Sequence, residues 1–136
     1  MADVGDIRQA IADALDTIDG LHVSDVWPDS VQTPQAIVQL KSALYRQAMG
    51  GDNNLYEFEV VLLASGVEQG LRHGQEILDP YVNSTTSKSV LRVLEEDSTL
   101  GDVVNSVGQI ALTDYGTMTV GGIDYVGARW SVQIWT

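Results

Sequence analysis

Apolar side chains recur at Ile7, Ile11, Ala14, Leu15 and Ile18. That spacing gathers them on one face of a helix over residues 4–19. Asp6, Asp13 and Asp16 fall on the opposite side. Asp3 stands at the N-cap position, where its charge also suits the positive helix end, and Gly20 offers a stop. Residues 22–27 read as a short strand ended by Pro28. Two longer strands follow over 36–45 and 55–65. In the second, Tyr56, Phe58, Val60, Leu62 and Ala64 alternate onto one face. The stretch between them, 46–54, is rich in Gly, Asn and Asp and reads as the tip of a long hairpin.

The period then changes from two to 3.6. Over residues 67–81, Val67, Leu71, Gly74, Leu78 and Tyr81 share a stripe, and Pro80 should end or kink the helix. Residues 83–87 supply capping side chains. A shorter helix over 88–97 repeats apolar positions at Val90, Leu91, Val93 and Leu94. Strand patterns return over 103–112 and, more clearly, over 123–135. In the last, Val126, Ala128, Trp130, Val132 and Ile134 share one face, and Tyr125, Arg129, Gln133 and Trp135 the other. Gly121–Gly122 marks the tight turn before it. The order is α-β-β-β-α-α-β-β. Hairpin-like connections predict a single α+β domain over 1–136, with a mostly antiparallel sheet packed by helices.

Composition narrows the function. The 136 residues hold 7 Lys+Arg against 19 Asp+Glu, a formal net charge of −12. Phosphate-neutralising nucleic-acid binding needs clustered base, and the cations here are scattered. Anionic membranes are disfavoured for the same reason, and no apolar run approaches the roughly 20 residues of a membrane span. Residues 1–16 carry acid where a secretory signal carries base. With no cysteine, disulfides, thiolate metal ligands and a thiol nucleophile are excluded.

Catalytic patterns are sparse. His22 and His73 are far apart in sequence and form no metal-binding pair. No GxSxG elbow, phosphate loop or dinucleotide fingerprint occurs. Asp52-Asn53-Asn54 opens like a calcium loop, but its twelfth position is Leu63 and its sixth Glu57, which excludes an EF-hand. Glu57 and Glu59 share a strand face and form a carboxylate pair of the kind a hydrolase uses. A solvated or interface-facing surface is the simpler account. No cofactor or metal is expected. Surface suited to contact remains at Tyr45 and Met49 near the hairpin tip, and at Tyr125, Arg129 and Trp135 on the last strand. Its alternatives are a second packed layer under the helices or a subunit interface.

The stretch GVEQGLRHGQEILDPYVNSTTSKSVLRVLEEDSTLGDVV, followed by DYGTMTVGGIDYVGARWSVQIW, resembles the tail terminator proteins of long-tailed bacteriophages, especially of the actinophage type. The features are the helix end at Leu78–Val82, the Ser-rich cap, the short acidic-ended helix, Leu100-Gly101 and the Gly-rich hairpin at Tyr115–Gly127. The most specific text covers 67–135, and length and element order extend the resemblance over the whole chain.

The resemblance implies a non-enzymatic virion protein at the head-proximal end of the tail, assembled in the host cytoplasm. Such proteins form a ring, usually a hexamer, on the last tail-tube ring. The ring stops tube elongation and offers a surface to the head-tail connector. Implied partners are thus further copies of the chain, the tail tube protein and the connector, with DNA sliding through the lumen unbound. Neck or head-closure proteins of the same fold are the nearest alternative, and a small hydrolase or ligand-binding domain a remote one. A closed ring needs two different patches per subunit. For these, Tyr45, Arg46, Met49, Asp52 and Leu55 on the hairpin and Tyr125, Arg129 and Trp135 on the last strand are the expected contacts. Acid facing the lumen would repel phosphate, at the cost of subunit repulsion that makes assembly sensitive to salt.

Overall fold

Asp3 caps the first helix, α1 (Val4–Leu15). Its carboxylate accepts the Asp6 N–H at 2.8 Å, and the Asp6 carboxylate accepts the Asp3 N–H at 3.3 Å. This reciprocal pairing satisfies two donors that a helix start leaves orphaned. The structure, a computed structural model, describes residues 3–25, 31–45, 54–96, 100, 104 and 106–135. The helix expected to reach residue 19 stops at Leu15. Thr17 Oγ1 donates to the Ala14 carbonyl at 2.7 Å, and the N–H groups of Thr17 and Ile18 turn back three residues instead of four. Ile18 is still buried by the turn that follows.

Among the described residues five strands form one sheet: β1 (His22–Ser24), β2 (Gln35–Leu44), β3 (Leu55–Gly66), β4 (Ser106–Val120) and β5 (Ile123–Trp135), in the order β1-β2-β3-β5-β4. Only β1 and β2 run parallel; the other described pairs are antiparallel. β1 covers half of the expected 22–27 segment, and residues 26–30 lie outside the described ones. β4 was expected over 103–112 and runs on to Val120. Its second half is Thr-rich and mostly exposed, so no hydrophobic alternation announces it; pairing to β5 holds it extended. Gly121 and Gly122 have φ of +60° and +80°, the mirror-image turn whose twist matches a tight hairpin.

The helix expected over 67–81 is broken. Val67–Gln69 form a 3₁₀ turn, Gly70 takes φ +101°, and α2 (Leu71–Val82) begins after it. Gly74, Leu78 and Tyr81 are buried as the stripe predicts, but Leu71, just past the break, is exposed. Pro80 neither ends the helix at once nor prevents a last turn to Val82. A proline this near the C-terminus removes a single ladder bond. α3 (Val90–Glu96) follows, with Ser89 Oγ accepting the Arg92 N–H at 3.2 Å at its start.

α1, α2 and α3 share one core with one face of the sheet. Ile7, Ile11, Leu15, Leu78, Tyr81 and Leu94 pack with Phe58, Val60, Leu62, Trp130, Val132 and Ile134. The α+β architecture and its element order are those the sequence predicts. Among the described residues no helix is long and apolar enough to cross a membrane.

Candidate functional site: the open face of the sheet

Among the described residues the opposite sheet face carries no helix in its apolar cluster, and the strand register sorts it into rows that run across the strands. At one end Ile37, Val61, Leu63 and Tyr125 form a small second core, flanked by Val31, Met118 and Val120. In the middle lie polar rows. Gln39, Glu59, Ser131 and Ala111 face one another in one, and Ser42, Glu57 and Gln133 in the next. At the far end Leu44, Leu55, Trp135 and Ser106 form a row whose Leu44 and Trp135 are exposed.

The two carboxylates of the middle rows are held by different partners. Glu57 accepts hydrogen bonds from the Ser131 hydroxyl and, at 3.1 Å, from the Ser42 hydroxyl. The Ser131 bond is the main reason its carboxyl group titrates below the ordinary value; partial burial opposes the shift, and Ser42 and the Lys41 charge add to it. Glu59 is nearly buried, at 8% exposed. The Gln39 amide donates to its Oε1 at 3.3 Å, and Arg129 Nε lies 3.5 Å from the same oxygen. Arg129 Nε is itself buried and makes no aligned hydrogen bond, so this is a charge contact in a largely desolvated place. A groove of about 320 Å³ opens beside it, lined by 114–119 and Arg129. Neither glutamate lines that groove. The serines, glutamine and arginine thus tie both carboxylates into cross-strand pairs, and the arrangement is that of a rigid polar surface. His22 and His73 are both exposed, and no ion pair among the described residues joins either to an acid.

The expected contact residues separate. Tyr45 is 67% exposed and stacks edge-on against Tyr56. Leu55 and Trp135 are brought together in the apolar end row. Arg129 belongs to the charge pair in the middle. Tyr125 is buried at 8% exposed in the second core, on the sheet face opposite the one packed by α1, α2 and α3, and so is not in a layer under the helices. Arg46, Met49 and Asp52 lie outside the described residues, as does the hairpin tip over 46–53.

Two links escaped the sequence. The Glu59–Arg129 contact depends on the β3–β5 register, which places Val61 opposite Arg129 and Glu59 one row away. Alternation predicts the face within each strand but neither the pairing of β3 with β5 nor that offset. The Tyr115 hydroxyl donates to Asp79 Oδ1 at 2.6 Å, tying β4 to α2. That bond, with burial and the Asp79 charge adding, pushes the Tyr115 hydroxyl up to about 12. No local pattern could announce it. No protein-family model matches the chain, and no curated protein matches it. The face is therefore read on its own geometry.

Proposed function

We propose that the chain is a structural virion protein, a tail terminator whose ring caps the last tail-tube ring, stops tube elongation and presents the head-joining surface. The reading rests on the resemblance of residues 67–135 to such proteins. The observation that carries it further is the apolar row Leu44–Leu55–Trp135 at one end of the sheet face on which none of the described helices packs. Aromatic and aliphatic side chains presented together beside a polar rim are what subunit contacts use. The carboxylates next to this row are bound to serine, glutamine and arginine side chains, which suits a fixed surface better than proton transfer. In this reading the partners are further copies of the chain, the tail tube protein and the head-tail connector. Six copies at −12 each would carry about −72, which keeps passing DNA from sticking to the lumen.

Deleting the gene in the parent phage and viewing lysates by negative-stain microscopy tests the proposal. Overlong, headless tubes beside filled heads are the expected result. Tails of normal length that fail to join heads would move the protein to the neck. Normal virions would end the virion reading altogether.

A further inference from the structure

One row of the open face sets two opposite charges side by side and leaves them unjoined. Asp114 of β4 stands directly across from Arg129 of β5. Neighbours so placed are within reach of one another, and opposite charges there attract. Yet no ion pair joins the two. Arg129 turns to Glu59 instead, with Nε 3.5 Å from its Oε1. Nε is buried on that side, while the side chain as a whole is 36% exposed. Among the described residues no hydrogen bond or ion pair uses the terminal nitrogens of Arg129. The Asp114 carboxylate is exposed and likewise has no partner among the described residues.

Both charges line the groove of about 320 Å³. That volume lies near the lower end of the roughly 300–1,000 Å³ of small-molecule sites. Gly116 lines it too, and there β4 departs from strand geometry, with φ +140°. A Cβ on Gly116 would meet nothing within 4 Å, so the missing side chain leaves open space in the groove. A glycine inside a strand marks a place where a ligand can come close to the backbone. The remaining polar lining is hydroxyl. Thr117 is exposed, and Thr119 donates to Asp124 Oδ1, which leaves its oxygen free to accept. A plain anion drawn to Arg129 would meet Asp114, with Glu59 on the far side of the guanidinium. A plain cation drawn to Asp114 would meet Arg129. Only a molecule that carries both charges satisfies both residues.

We infer that this groove binds a small zwitterion with the chemistry of a free α-amino acid, its carboxylate on the terminal nitrogens of Arg129 and its ammonium on Asp114 and the threonine oxygens. Glu59 is then a positioning residue, which holds the guanidinium from behind and touches no ligand. The inference goes beyond the virion role proposed above and holds or fails independently of it, because the lysate experiment does not read it.

The test is a titration of the purified full chain with the standard L-amino acids, each in turn, followed by backbone amide NMR shifts. At least one of them, at millimolar concentration, should move the amides of 114–119 and Arg129. Two derivatives of that amino acid then separate the two charges. Its N-acetyl form lacks the ammonium and its C-terminal amide lacks the carboxylate, and each should bind at least about tenfold more weakly. Asp114 is exposed, so Asp114→Asn leaves the fold intact. It should weaken the parent amino acid by a similar factor and leave the N-acetyl form unaffected, since that form makes no contact for Asp114 to lose. Arg129→Lys keeps a cation beside Glu59 but loses the planar fork, and should weaken the parent more than the amide. No shift of these amides with any of the amino acids overturns the inference. So do derivatives that bind as well as the parent, or an Asp114→Asn variant that binds the parent as wild type does.

Discussion

Replacing Gly74 with alanine tests how α2 is seated on the sheet. A Cβ at this position would lie 2.6 Å from both Cβ and Cγ2 of Val126 and 2.8 Å from Ser65 Oγ. Carbon atoms in contact prefer about 3.5–4.0 Å, so α2 must retreat by about 1 Å. Val126 cannot yield, because its Cβ is fixed to β5, which is paired on both sides. Retreat loosens the burial of Leu78 and Tyr81, both at 2% exposed or less. Overpacking of this kind costs about 1–3 kcal/mol, and the rigid neighbour argues for the upper end. Alanine returns about 1 kcal/mol through its better helix propensity. The net loss is then about 2 kcal/mol, which for a chain of this size lowers Tm by about 6–10 °C. Thermal unfolding followed by circular dichroism, with fluorescence of buried Trp130 as a second probe, measures it. A Tm equal to or above that of wild type would show that propensity outweighs packing, and would refute the close approach of α2 to β5.

Other outcomes follow from single contacts. The Tyr115–Asp79 bond stabilises the fold fully below pH 10, and its contribution is lost as pH rises towards the folded value of about 12. Asp79→Asn should bring the Tyr115 phenolate absorbance back towards an ordinary titration, and an unchanged curve would remove the bond. Glu57 has the opposite sign. Its lowered value means stability that is present above pH 4.5 and lost as the pH falls through the folded value, so Glu57→Gln should flatten the acid limb of a stability–pH curve. Arg129→Met leaves nearly buried Glu59 without its cation and should cost about 1–3 kcal/mol in urea unfolding. Adding Glu59→Leu should recover part of that loss, and simple additivity of the two changes would disprove their coupling.

Strong periodicity made most of the fold legible. The two faces of β3 and β5, the capping aspartate of α1 and the Gly-Gly turn were all readable because each rests on local pattern and chemistry. The second half of β4 was not, since Thr113, Asp114, Thr117 and Thr119 give no apolar alternation and the strand exists by pairing. The break at Gly70 was hidden because Val67 and Leu71 fit the helical stripe on either side of it. Alternation put Glu57 with Glu59 on one strand face and Arg129 with Trp135 on another, and the β3–β5 register joins them. It could not separate Tyr125, which is packed, from Trp135, which is exposed. That difference is set by Ile37, Val61 and Leu63 arriving beneath one end of the face.

The place of β5 between β3 and β4 has a consequence for biosynthesis. Residues 123–135 are made after the other four described strands, yet they join the two halves of the sheet. Until they leave the ribosome, β3 waits with one edge bare and with Val60-Val61-Leu62-Leu63 in a run, all of it buried in the finished fold. A nascent chain that stalls before residue 123 therefore exposes its most aggregation-prone segment with no partner to pair it. Pairing of β3 on both edges waits until β5 has been made.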